Sequence, residues 1–266
     1  MFDSIAGDYD SLNHILSLDV DKIWRKKALK QIVDAPAPVQ VLDLACGTGD
    51  FSIAIAKALS RSHKRVGTPI EAHVKVPAKA PVEAQVTSTG FVTGDSGRSD
   101  LMTKGHVTGV DLSECMLAVM REKVQKAGLT EMISIEEGDG ENLRFPDNTF
   151  DRVTIAFGIR NFENREKGLR ETLRVLKPGG RLVILELSRP ENKIIRWFYD
   201  LYFLHILPKI GGKVSGDKAA YAYLPASVAA FPGKKAFMAT MREAGFRAVT
   251  HKAFTLGICR MYTGEK

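Results

Sequence analysis

The sequence predicts an α/β protein: a mainly parallel sheet covered by helices on both faces, with an antiparallel hairpin at one edge. Three observations predict it. From residue 39 to residue 186, short apolar strand-type runs alternate with helical segments, the pattern of a sheet buried on both faces. At residues 41–59 one run passes directly into a glycine turn and then a helix. After the last helical segment, two strand segments follow each other with no helix between them. With 266 residues, 44% hydrophobic and 26% charged, the chain can enclose such a core.

Taken in order, residues 1–35 start polar and then read as a helix. Ile23, Trp24, Lys27, Ala28 and Ile32 fall on one face, and Pro36 and Pro38 close it. Val39 to Leu44 is the first strand, Cys46 to Gly49 a turn, and Phe51 to Leu59 a helix. Residues 61–106 break the rhythm with scattered Gly and Pro. Their length is far above that of an ordinary loop, so they read as an insertion outside the core. Val107 to Asp111 is the second strand. Ser113 caps a helix that Gly128 stops, and Met132 to Glu136 is the third strand. Phe150 to Ala156 is the fourth strand. A helix over 166–176 then ends at the Pro178-Gly179-Gly180 turn, and Arg181 to Glu186 is the fifth strand. Residues 194–210 form a helix that is apolar almost all round, to be buried or to face lipid or an apolar ligand. A helix over 234–244 ends at Gly245, and Ala248 to Phe254 and Gly257 to Thr263 are the last two strands.

Composition narrows the function classes. Three well-separated cysteines with no CxxC pair argue against a zinc site or a disulfide framework and suit a reducing cytosol. The acidic start is wrong for a signal peptide, and no run of 18 apolar residues predicts a spanning helix. The charge is uneven. Residues 1–188 hold 25 Lys+Arg against 26 Asp+Glu, whereas residues 189–266 hold 13 against 5. A basic field confined to the last part of the chain favours an anionic partner, or is a solvated lysine-rich surface.

The chemistry concentrates at the predicted C-terminal ends of the strands, where ligands of open α/β sheets bind. Asp43-Leu44-Ala45-Cys46-Gly47-Thr48-Gly49-Asp50 has the spacing DxxxGxG. It is neither the GxGxxG of dinucleotide enzymes nor a phosphate loop, which leaves room for another nucleoside ligand. Asp111, followed by Leu112, ends the second strand, where an acid can accept from both hydroxyls of a ribose. The 68 residues from Asp43 to Asp111 exceed the usual gap, and the insertion accounts for the excess. Asp139 and Gly140 follow the third strand and can meet an adenine. Ala156 ends the fourth strand, and Phe157 to Phe162 place Arg160 and Asn161 at the same cleft.

Together these elements resemble the class I S-adenosylmethionine-dependent methyltransferases. The segments FDSIAGDYDSLN, LDLACGTGD, FPDNTFDRVTIAFGIRNFEN, RVLKPGGRLVILELSRP, YAYLPASVAAFP and GICRMYTGEK narrow the resemblance to the quinone C-methyltransferases of menaquinone and ubiquinone synthesis. It covers nearly all of the chain except about 61–106, for which it offers no role.

The resemblance implies one methyltransferase domain over 1–266 with a Rossmann-like, seven-stranded sheet. It implies a helical cap at 1–35 and a helical lid on the substrate side at 190–232. The co-substrate is S-adenosyl-L-methionine, with no metal. Its binding residues are expected to be Asp43, Gly47, Thr48, Gly49, Asp111, Leu112, Asp139, Gly140 and Ala156. The acceptor is a prenylated naphthoquinol, demethylmenaquinol becoming menaquinol, with no nucleic-acid partner and a homodimer as a possible assembly. The expected location is cytoplasmic, with peripheral contact to an anionic membrane.

Methylating a ring carbon requires alignment behind the sulfonium methyl and a quinol hydroxyl that has lost its proton. Arg160 is the candidate to hold the oxyanion and Asn161 to orient it. Tyr9 and Tyr221 or Tyr223 are candidates to contact the ring, and His14 and His205 weaker candidates for a base. Residues 194–210 are expected to line a groove for the tail, or to pack Trp197, Phe198, Tyr202 and Phe203 against the sheet as a lid. Two rival classes remain. A nucleic-acid methyltransferase calls for a separate basic domain or base-flipping motif, and neither is evident. A non-catalytic nucleoside-binding regulator would tolerate loss of Arg160.

Overall fold

In the computed structural model, residues 19–34, 39–66, 105–202 and 218–266 are described, the side chains of 62–66 and 218–222 excepted. The elements are α1 (Val20–Ile32), β1 (Gln40–Leu44), α2 (Asp50–Val66), β2 (His106–Asp111), α3 (Glu114–Lys126), β3 (Ile133–Glu137) and β4 (Phe150–Ala156). A short 3-10 turn, Ile159–Asn161, follows. Then come α4 (Arg165–Val175), β5 (Leu176–Leu187), α5 (Lys193–Leu201), α6 (Lys218–Ala230), α7 (Lys234–Glu243), β6 (Arg247–Phe254) and β7 (Cys259–Glu265).

The strands form one seven-stranded sheet in the order β3-β2-β1-β4-β5-β7-β6. β1 pairs in parallel with β2 and with β4, β2 with β3, and β4 with β5, while β7 runs antiparallel to both β5 and β6. The chain therefore steps outward from β1 to β3 and returns to the other side of β1. A crevice opens at the strand ends where that order reverses.

The central strands bury alternate residues on opposite faces, as their period of two requires. Val183 and Leu185 of β5 join one core layer with Trp24, Ile55, Leu117 and Met120 of α1, α2 and α3. Leu182 and Ile184 join the other layer with Leu169 of α4 and Phe237 and Met241 of α7. Helices thus cover both faces. Ser113 caps α3 by accepting from Met116 N (3.2 Å), and Asn164 caps α4 by accepting from Lys167 N (3.0 Å).

Three details differ from the sequence reading. In α1, Trp24, Ala28 and Ile32 are buried at four-residue spacing, but Ile23 lies about 100° around the helix from Trp24 and is exposed. β5 starts at Leu176, before the expected turn. Leu176 pairs with Phe150 and Arg181 with Arg152, so Lys177 to Gly180 form a bulge within the strand. The apolar helix expected over 194–210 is α5 over its described part, and its Trp197 and Phe198 are 61% and 60% exposed rather than packed on the sheet. The expected insertion at 61–106 and cap at 1–35 fall largely outside the described residues.

Candidate active site

The strand ends at the reversal carry a cleft of two joined lobes. The larger encloses about 810 Å³ and is lined by residues after β2, β3 and β4. The smaller, about 430 Å³, lies between the β1 turn and α1. Ala45, Gly47, Ala156 and Phe157 line both.

The backbone at this junction is held in uncommon conformations. Ala45 and Phe157, at the ends of β1 and β4, have φ of 52° and 63°, and Gly47 and Gly49 have φ of 55° and 82°. For the two non-glycines this left-handed region carries strain, which the surrounding structure must hold. Phe157 is held by its N–H on Leu185 O (2.7 Å) and by the Arg25 guanidinium 5.7 Å from its ring centre. A Cβ at Gly158 would lie 2.4 Å from the Cβ of Ala45, so only glycine lets the β1 and β4 ends approach this closely.

Asp111 ties the larger lobe together. Its Oδ2 accepts from Gly47 N (2.8 Å) and its Oδ1 from Ser113 N (3.0 Å), which joins the β1 turn to the start of α3. Asp111 lines the larger lobe, where a carboxylate is a natural acceptor for a ligand hydroxyl. Leu112, 69% exposed, lines the same lobe with Asp139 and Gly140. Asp139 Oδ1 accepts from Glu141 N (2.8 Å), which shapes the turn after β3.

The smaller lobe is charged. Arg25 bonds Asp50 Oδ2 (3.1 Å), and Lys123 Nζ pairs with the other Asp50 oxygen. The Asp50 carboxyl lies below its usual range through the hydrogen bonds and charges of Lys123 and Arg25, which outweigh its burial. Thr48 is buried and takes a weak bond from Lys123 Nζ (3.4 Å). Asp43 is buried and accepts from Ser52 Oγ (2.5 Å). Burial pushes its carboxyl up to about 7, against the Ser52 bond and the Arg25 charge.

An unfolded aspartate titrates near ~3.9, so the folded chain holds the extra proton between there and about 7. Stability from this group is therefore greatest at acid pH, falls as pH rises through that window, and levels off above it. Asp43→Asn removes this slope. Its urea midpoint should match wild type near about pH 3 and exceed it at pH 8, by an energy on the order of 1.4 kcal/mol for each pH unit between the unfolded and folded values.

The expected site residues divide. Gly47, Asp111, Leu112, Asp139, Gly140, Ala156 and Asn161 line the larger lobe, and Asp43, Gly47, Thr48 and Ala156 the smaller. Gly49 borders the turn rather than either lobe, and the site a Cβ would take lies 2.4 Å from Met120 Cγ, so the turn packs closely on α3 here. Arg160 also lines neither. Its Nη1 bonds Glu186 Oε1 (2.8 Å) and the Phe157 carbonyl, and its N–H bonds Glu186 Oε2 (3.2 Å). Arg160 is 8% exposed and Glu186 fully buried. The guanidinium expected at the substrate is committed to a buried ion pair behind the cleft wall. Asn161 Oδ1 accepts from the Tyr223 hydroxyl (2.8 Å) of α6. Tyr9, His14 and His205 lie outside the described residues, as does the side chain of Tyr221.

Sequence reading placed Phe157 at the cleft but missed Arg25 and Glu186 as parts of the site. The signal for Glu186 was present: an acid ends the otherwise apolar run Leu182–Leu185 and must find a partner when buried. Among the described residues, no group of three or more His, Cys, Asp or Glu could hold a metal ion.

S-adenosylmethionine fits these lobes. Asp111 offers acceptors for the two ribose hydroxyls, and the smaller lobe sets a cation, Arg25, beside two acids. That pairing suits the carboxylate and ammonium of a methionyl end.

Comparison with known proteins agrees. The model of the ubiE/COQ5 methyltransferase family matches residues 1–266. A demethylmenaquinone methyltransferase of Bacteroides fragilis is 38% identical over 266 residues, covering 100% of this chain and 91% of that one. A ubiquinone/menaquinone biosynthesis C-methyltransferase of Geobacter sulfurreducens is 42% identical, covering 100% and 87%. A solved SAM-dependent methyltransferase from Aquifex aeolicus superposes with a TM-score of 0.53 at 19% identity, over 90% of this chain and 88% of that one. The class I Rossmann-like fold expected from the sequence is the observed one.

Proposed function

The chain belongs to the ubiE/COQ5 methyltransferase family, and on that premise we propose that it methylates a ring carbon of demethylmenaquinol, giving menaquinol and S-adenosylhomocysteine. It is an S-adenosylmethionine-dependent methyltransferase acting on a quinone-pathway intermediate. One observation carries the choice of a quinol carbon: the larger lobe combines a nucleoside-type acid, Asp111, with a neutral amide, Asn161, held by Tyr223. Menaquinone is common to the names of both relatives above, which favours the naphthoquinol over the ubiquinone-pathway substrate.

Bound S-adenosylmethionine supplies an electrophilic methyl group on a sulfonium. Asp111 and the glycine turn would hold its nucleoside, and Asp43, Thr48 and Arg25, which line the smaller lobe, would hold the amino-acid end. The quinol ring carbon becomes nucleophilic when a ring hydroxyl gives up its proton. It then forms a bond to the methyl carbon as the sulfur–methyl bond breaks; the ring hydrogen leaves to solvent as a proton and the ring oxygen takes a proton back, so that one proton is released overall. With Tyr223 donating to its Oδ1, Asn161 keeps its amide N–H groups as donors to the developing oxyanion. Arg160, paired with Glu186, acts as a positioning residue. It clamps the Phe157 carbonyl and so fixes the turn that carries Asn161.

The test is an assay with methyl-labelled S-adenosylmethionine and three acceptors: reduced demethylmenaquinone, its oxidised form and a ubiquinone-pathway precursor quinol. A product one methyl group heavier is expected from the reduced naphthoquinol and not from the oxidised quinone. Transfer to neither quinol, with S-adenosylhomocysteine binding intact, would sink the proposal. Transfer to both quinols would assign the enzyme to both branches.

A further inference from the structure

We propose that the outer face of α5 docks on the surface of an anionic lipid bilayer and brings the cleft to a membrane-dissolved acceptor. The inference deepens the quinol reading and rests on it for the acceptor's prenyl tail.

Seven large hydrophobic side chains are exposed among the described residues, and four of them lie on this one nine-residue helix: Ile194, Trp197, Phe198 and Leu201. Their spacing of i, i+3, i+4 and i+7 makes a single stripe. The stripe has the chemistry of an interfacial helix, with aliphatic and aromatic residues on one face and cations at its border. Trp197 and Phe198 meet edge to face, their ring centres 4.9 Å apart. Lys193 and Arg189 are exposed at the start of the helix, and half-buried Arg196 and Lys234 lie beside it; Arg189 pairs with Asp200 and Lys234 with Glu191, which leaves the border with four cations to two acids. That basic border belongs to the part of the chain where 13 Lys+Arg face 5 Asp+Glu.

The helix is already formed, so docking does not have to order it. Asn192 caps it by accepting from Ile194 N (2.9 Å) and Ile195 N (3.2 Å). Arg196 Nε ties it to the Pro190 carbonyl (2.8 Å), and Arg189 ties it to Asp200. Its inner face carries Tyr199, 7% exposed and within the field of Arg160. The same helix therefore turns its stripe outward and its back toward the turn that holds Asn161. A second copy of the chain fits less well. At their exposures the four side chains offer roughly 450 Å², against about 800 Å² from each partner of a stable dimer. Charge also separates the two: a basic border attracts an anionic bilayer and repels its own copy.

The chain has two tryptophans, and Trp24 is 4% exposed, so an emission change on docking reports Trp197. Wild type would be mixed with quinone-free vesicles of phosphatidylcholine, alone or with phosphatidylglycerol, and followed by fluorescence and flotation. A blue shift and co-flotation are expected with the anionic vesicles, weakening with salt. Ile194→Ser and Phe198→Ser should lower the partition coefficient by at least about tenfold. Their melting temperatures should stay at the wild-type value, because these side chains pack on no core. No blue shift with anionic vesicles, or undiminished partition of both variants, would overturn the proposal. So would a concentration-dependent dimer that Phe198→Ser abolishes while vesicles float without protein. The vesicles hold no acceptor, so failure to dock leaves the methyl-transfer reading intact. An inactive enzyme that still docks would instead count against the quinol.

Discussion

Asp111→Ala is expected to lower affinity for S-adenosylhomocysteine by about 10²–10⁴-fold, the loss of two charge-assisted hydrogen bonds at ~1.5–3 kcal/mol each. The carboxylate has two duties. It accepts from Gly47 N and Ser113 N, and so holds the β1 turn against the start of α3. It also lines the larger lobe, where the ribose is expected. Asp111→Asn separates the two, since the amide keeps one acceptor oxygen and loses the charge. It should bind between wild type and the alanine variant. Titration calorimetry gives the affinities, and the melting temperature without ligand reports the backbone role. An alanine variant that binds within about threefold of wild type would refute Asp111 as the ribose acceptor, since a single charged bond is worth more than that.

Glu186→Ala should cost about 3–5 kcal/mol of stability, the usual cost of leaving one member of a buried ion pair without its partner. At roughly 2–4 °C per kcal/mol for a chain of this size, that is a fall in melting temperature of about 10 °C. The reason is burial: the Arg160 and Glu186 side chains are 6% and 0% exposed, so water cannot solvate the abandoned guanidinium. Replacing both partners, as Arg160→Met with Glu186→Leu, removes the uncompensated charge and should return stability to within about 1 kcal/mol of wild type. Activity should stay low in the double variant, because the clamp on the Phe157 carbonyl and the turn carrying Asn161 is gone. Restored stability with full turnover would show that the pair serves folding alone. Thermal unfolding and a kcat against KM comparison read the two effects separately.

Much of the fold was legible because its signals are local. Short apolar runs set between helical segments and turns marked β1 to β5, and Ser113 and Gly128 marked the two ends of α3. Local chemistry also marked much of the cleft lining. Strands of a parallel sheet present their C-terminal ends on one side, so residues just past β1, β2, β3 and β4 had to meet there. Asp111, Asp139 and Asn161 needed no further information to be grouped.

The errors came where the partner is distant in sequence. Gly49 read as a ligand glycine, yet the space it leaves is filled by Met120 of α3. Arg160 read as a free cation, yet Glu186, 26 residues away, takes its charge. Glu186 reaches it because β4 and β5 are neighbours in the sheet. α5 read as apolar on almost every side, and only the packed structure shows Tyr199 turned inward and Trp197 outward. The sequence by itself determined the strands and most of the helices, several of the glycine turns, and which strand ends carry acids. Those follow from dihedral preferences and side-chain periods within a few residues. The order β3-β2-β1-β4 with β7 inserted between β5 and β6, the pairing of buried charges, and the outward face of α5 were decided by tertiary structure. They depend on which surfaces bury one another, and that balance is struck between segments far apart in the chain.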